Sequence, residues 1–263
     1  MVWRLEFVPI SMYYVLIFLL GVCIGSFLNA AIFRVHEDKS VWKGRSKCMK
    51  CEEPISWYDL VPVLSYLRLR GRCRKCKSVI DWQYPIIEIV TGLFFLIAFA
   101  VSPDNLFLVV RNWIFISYLV IIFVYDLRYM YILDRFTIPA IIIAVIINLW
   151  IGVVPAWSIL LGAFVLGGFF FLQYVISKGV WIGGGDIRMG ALMGFMLGFE
   201  QGLVAIFLAY VIGATISIFL LMSGKASRKT PIPFGTFLTL STLIVLFVGK
   251  DLLHWYLSFL YSL

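Results

Sequence analysis

Residues 10–33 read ISMYYVLIFLLGVCIGSFLNAAIF, a run without one charged side chain. A helix of about 20 such residues crosses a hydrocarbon core of about 30 Å. The run is too long for the apolar core of a removable signal peptide, and Gly25, Ser26 and Asn29 interrupt it near its end. Similar runs recur to the end of the 263-residue chain, near 85–101, 107–125, 132–151, 157–177, 187–199, 202–222 and 234–248, the last followed by an amphipathic tail. Composition agrees. The chain is 62% hydrophobic and 14% charged, with a mean hydropathy of +1.00, against about 45–50% and 25% in soluble domains. Lipid-exposed backbone must satisfy its own hydrogen bonds, so the spans are expected to be helical. The expected fold is an all-α polytopic membrane protein of about eight transmembrane helices.

Charge orients the spans. With residues 34–84 placed in the cytoplasm, the loops near 126–135, 178–188 and 223–233 fall on the same side. These segments hold all of the 22 basic residues except Arg4, Arg111 and Lys250. The positive-inside rule then predicts both termini outside. The net charge of +8 is accounted for by orientation and anionic headgroups, without nucleic-acid binding.

The one sizeable polar segment, 34–84, carries Cys48, Cys51, Cys73 and Cys76 as Cys-x2-Cys, 21 residues, Cys-x2-Cys. Two such knuckles supply four thiolates for a tetrahedral structural zinc site, in a reducing compartment where disulfides rarely persist. The expected organisation is a first helix (10–33), a small cytoplasmic four-cysteine zinc-binding domain inserted between helices 1 and 2 (34–84), and a membrane-embedded remainder (85–263). Cys23, alone in the first span, is expected to be a packing residue.

Two aspartates stand out because carboxylates at membrane depth are costly. Asp186 follows Gly183, Gly184 and Gly185 in KGVWIGGGDIRMGALMGF (178–195), and Asp126 ends the third span in VIIFVYDLRYMYILDRFTIP (120–139). Both fall at the cytoplasmic edge, where they form a candidate acid/base pair for hydrolysis. The helix dipole assigns the base to Asp186 at a helix N-terminus and the acid to Asp126 at a C-terminus. Asp134 competes with Asp126 but reads more simply as the N-cap of the fourth span. Glu88 reads as an interfacial anchor.

In register, these segments resemble the type IV prepilin peptidases, also called prepilin leader peptidase/N-methyltransferases. GVCIGSFLNAAIFRV (21–35) resembles the family's first span, and the cysteine segment with SWYDLVPVLSYLRLRGRCRKCKSVIDWQYPIIE (56–88) its zinc-bearing domain. YDLRYMYILDRFTIP (125–139), GGGDIRMGALMG (183–194) and PIPFGTFL (231–238) are similar to its two aspartate motifs and its late Pro-Phe-Gly segment. Leu133, Arg188, Thr236 and Met49 depart from the usual Pro, Lys, Pro and Pro. Arg128 stands where many bacterial members carry another Asp.

The resemblance implies an intramembrane aspartyl endopeptidase of the bacterial cell membrane, with Asp126 and Asp186 as its dyad. Its substrates would be type IV prepilins or pseudopilins, cut on the cytoplasmic side after the Gly that ends a short basic leader. It further implies N-methylation of the new N-terminal residue with S-adenosylmethionine as co-substrate. Glu37, Asp38, Glu52 and Glu53 are candidates to receive the leader's basic side chains. The competing readings are a non-enzymatic scaffold of a pilus or secretion machine, and a transporter.

Overall fold

The computed structural model describes residues 10–225, 227 and 230–261, the side chains of residues 10, 260 and 261 excepted. Arg4, Arg228 and Lys229, which entered the charge count, lie outside the described residues. Among the described residues the regular structure is helical, with two isolated bridges and no strand.

The chain divides into two compact units, up to Asp104 and from Asn105. The first contains α1 (Ile10–His36), the short α2 (Leu64–Arg68) and α3 (Gln83–Val101). The second contains α4 (Leu106–Tyr129), α5 (Asp134–Ile151), α6 (Ala156–Ser177), α7 (Gly184–Leu197), α8 (Phe199–Met222) and α9 (Phe234–Tyr261). Seven of these helices are long and apolar enough to cross a membrane. The sixth expected span, α7, has only 14 residues, a length of about 21 Å. The amphipathic tail expected after 248 continues the last span, because α9 runs through Lys250 to Tyr261 as one helix.

In the first unit α1 packs on α3 with Gly21 against Gly92. Asn29 ties the pair, donating to Tyr84 O at 3.2 Å and accepting from Gln83 Nε2 at 3.2 Å. Glu88 is buried rather than anchored at an interface. Its carboxylate accepts the Val63 N–H at 2.7 Å, which fastens the cysteine-bearing loop to α3. Cys23 faces outward on α1, not into packing as the sequence suggests.

In the second unit α7 owes its short length to glycines at both ends. Gly183–Gly185 open it, and Gly198, at φ +80°, turns the chain directly into α8. A helix that stops inside a bundle leaves its last carbonyls without partners. Here side chains from two other helices supply them. Arg111 on α4 donates to Met196 O at 2.9 Å, and Asn148 on α5 donates to Phe195 O at 2.6 Å and Met196 O at 3.2 Å. Arg111 also lies 4.9 Å from the Phe115 ring centroid. The backbones of α6 and α7 nearly touch, since a Cβ on Gly194 would lie 2.2 Å from Ala163 N. Such contacts need small residues, as is usual between membrane helices.

Candidate active site and metal centre

Asp126 occupies the last turn of α4 and is 4% exposed. Its Oδ2 accepts the Thr236 backbone N–H at 2.7 Å, from the first turn of α9. Asp186 is the third residue of α7, and its Oδ2 accepts the Gly183 N–H at 3.0 Å in a capping-box arrangement. Both carboxylates therefore rest on amides at helix starts, where the dipole is positive. The dipole of α4 is not the only one at Asp126, which leans on the N-terminus of α9 as well as ending α4. Thr236 supplies an N–H that a proline at this position would lack.

The two aspartates come from different helices, α4 and α7. One buried side chain connects their surroundings. Ile132, in the loop between α4 and α5, lies against Gly185, where a Cβ would come within 2.8 Å of Ile132 Cβ. It also lies against Gly235, where a Cβ would meet Ile132 Cδ1 at 2.7 Å and Asp126 Oδ2 at 2.8 Å. Ile132 thus fills the space between the backbone beside each aspartate. Gly184, by contrast, faces open space, which leaves room for another peptide to approach.

Asp134 does not cap α5. The N-cap is Leu133, and the Asp134 carboxylate pairs with Arg188 on α7 at 2.6 Å. The α4–α5 loop is consequently held to α7 at two points, Ile132 and Asp134.

The four cysteines of the first unit converge. Their Sγ atoms lie within 4.8 Å of one another, with Cys48 and Cys76 at 3.8 Å. Metal–sulfur bonds of about 2.3 Å place tetrahedral ligands about 3.8 Å apart, so this donor set fits a zinc ion. Each knuckle repeats one local fold. Cys48 N–H donates to Glu53 O and Cys73 N–H to Ser78 O, while Glu52 and Lys77 N–H return to the carbonyls of Cys48 and Cys73. Glu52 and Lys77 both adopt positive φ, 55° and 59°. Burial alone would raise the Cys48 thiol, but the Cys51 and Lys50 amides and the Ser78 hydroxyl outweigh it and bring it to about 6. Hydrogen bonds from Ser78 likewise lower Cys76.

Around the knuckles, Arg74 grips Asp59 with two hydrogen bonds of 2.8 and 2.6 Å, and Lys75 pairs with Glu53 at 2.7 Å. Of the four acidic residues expected to take a basic leader, Glu53 is thus engaged with its own loop, as is Glu37 with Lys39.

The geometry defines a polytopic membrane protein with a carboxylate pair set between helix ends and a separate four-thiolate metal centre. Two family models match the chain, the Bacterial Peptidase A24 N-terminal domain over residues 19–102 and the Type IV leader peptidase family over residues 113–218. The chain is 32% identical to a prepilin leader peptidase/N-methyltransferase of Bacillus subtilis, over 92% of this chain and 97% of that one. It is 29% identical to the protein of that name in Aeromonas salmonicida, covering 94% of each, and 29% identical to that of Neisseria gonorrhoeae, covering 91% and 93%. No solved structure matches the chain. The chain belongs to the prepilin leader peptidase/N-methyltransferase family, and it is a prepilin peptidase.

Proposed function

We propose that Asp126 and Asp186 are the catalytic dyad of an intramembrane endopeptidase that removes the basic leader of type IV prepilins or pseudopilins. Cleavage follows the Gly that ends the leader, on the cytoplasmic side. The observation that carries this reading is that two carboxylates from different helices are each held by a helix-start amide and have one side chain, Ile132, packed against the glycine backbone beside each.

A water between them gives a proton to the ionised carboxylate and attacks the scissile carbonyl carbon, while the protonated carboxyl donates to the carbonyl oxygen. The tetrahedral intermediate then collapses, the C–N bond breaks, and the amine leaves with a proton. Open space at Gly184 lets an extended substrate backbone lie beside Asp186. A prepilin is itself an apolar helix behind a charged leader, so its cleavage point arrives at a membrane edge.

The metal held by Cys48, Cys51, Cys73 and Cys76 is a structural zinc that organises the loop of residues 34–84. S-adenosylmethionine supplies the methyl group for the newly exposed amine. The described residues offer no glycine-rich strand–turn–helix loop for its adenosyl group, so no residue is assigned to it. Mass spectrometry of a cognate prepilin incubated with the purified protein and S-adenosylmethionine tests the reading. Loss of the leader mass and gain of one methyl are expected; an intact substrate in the presence of folded, zinc-loaded protein contradicts it.

A further inference from the structure

Polar side chains on the outer surface of a membrane helix need a reason, because hydrocarbon offers them no partner. Tyr210 on α8 and Gln173 on α6 form such a pair. Tyr210 is 38% exposed, and its hydroxyl donates to Gln173 Oε1 at 3.2 Å. Behind them lies a set of rings. Phe234 is 5.1 Å from Tyr210 and 6.1 Å from Phe170, and Phe169 stands 6.1 Å from Tyr210. Phe234 directly precedes Gly235, on which the Asp126 carboxylate rests. Phe170 packs on Gly190, one turn of α7 beyond Asp186. The pair and the rings thus lead from the outer surface of the second unit to Phe234, next to Gly235, and to Gly190, one turn of α7 from Asp186.

We propose that Tyr210 and Gln173 form the subsite that receives the opened backbone of a membrane-inserted peptide on its way to the dyad, an inference that rests on the peptidase reading above. A helical substrate must give up helical hydrogen bonds around the bond to be cut, and in hydrocarbon the freed N–H and C=O groups have no water to turn to. The Gln173 amide carries the donors and acceptor of a peptide group, and the Tyr210 hydroxyl both donates and accepts. Before substrate arrives Gln173 Nε2 donates to Phe169 O at 3.5 Å, and Gln173 Oε1 accepts the Tyr210 hydroxyl. On arrival they exchange that bond for bonds to the peptide, while Phe169 and Phe234 take the apolar side chains on either side. The ligand class is therefore an extended apolar segment entering sideways from the bilayer, not a soluble peptide entering end-on from water.

The test uses full-length protein in proteoliposomes with a membrane-inserted prepilin. In an Asp186→Asn background, which leaves the substrate uncut, a benzoylphenylalanine photoprobe replaces Tyr210. In a second protein it replaces Phe219, which is 68% exposed on the opposite face of α8. Crosslinks near the scissile bond are expected from position 210 and not from 219. In the active protein, Tyr210→Phe and Gln173→Leu should each raise KM about two- to tenfold, the effect of one lost hydrogen bond, with kcat near wild type. Equal crosslinking from the two positions, or wild-type KM in both variants, overturns the proposal. A prepilin left uncut by the wild-type protein contradicts the peptidase reading and the subsite with it.

Discussion

Ile132 carries no chemistry of its own, yet it touches the backbone beside both aspartates. Its branched side chain sets how far α7 and the start of α9 stand apart, and with that the separation of the two carboxylates. Ile132→Ala should lower kcat for prepilin cleavage about 10- to 100-fold through misplacement of the dyad, with KM unchanged, and Ile132→Val should restore most of it. Steady-state kinetics per folded molecule check this; a loss that merely follows the folded fraction would mean that Ile132 is only core packing. Both aspartates are legible in the sequence, because charge inside apolar runs is rare. Ile132, Gly235 and the Thr236 amide are not, because their roles exist only once α4, α7 and α9 meet. The α9 amide at Asp126 was hidden for the same reason, since it belongs to a helix end 110 residues away.

At the scale of elements, apolar runs locate the long helices to within a few residues, except at the end of α9, since each crossing must be continuous and apolar. Length alone misplaces α7, expected at 187–199 and found at Gly184–Leu197, because its ends are fixed by glycines and by tertiary caps. Arg111 is only an exception to the charge rule when read as sequence. In the fold it and Asn148 satisfy the last carbonyls of α7. Asn148→Leu removes a buried donor and leaves Phe195 O unpaired, at an expected cost of about 1–3 kcal/mol. A fall in the thermal midpoint of the detergent-solubilised protein would register it, and an unchanged midpoint would show that the α7 end is satisfied otherwise. Gly194→Ala should be worse, since its Cβ meets backbone that cannot yield.

On the scale of the whole molecule, the two units call for separate probes. Removing the metal from the four-thiolate centre should open the loop of residues 34–84 to proteolysis while the helices α4 to α9 keep their resistance; equal resistance before and after chelation would show that the loop needs no metal. The hydrogen bonds from Arg74 hold the Asp59 carboxyl below its usual range. The stability it lends the loop is therefore present above the ordinary carboxylate value of about 4 and is lost as pH falls through the lower folded value. Measured against an Asp59→Asn protein at the same pH, the extra loop resistance should be level from about pH 8 to 5 and shrink only below about 4. The cysteine spacing announces the metal centre, but the matched turns at Glu52 and Lys77 appear only in the backbone. The central claim is that Asp126 and Asp186 together cut the substrate. It is tested most directly by following leader removal from one prepilin with wild-type, Asp126→Asn and Asp186→Asn proteins, each verified as folded. Cleavage by wild type and by neither variant is the predicted result; cleavage by either variant at the wild-type rate would contradict it.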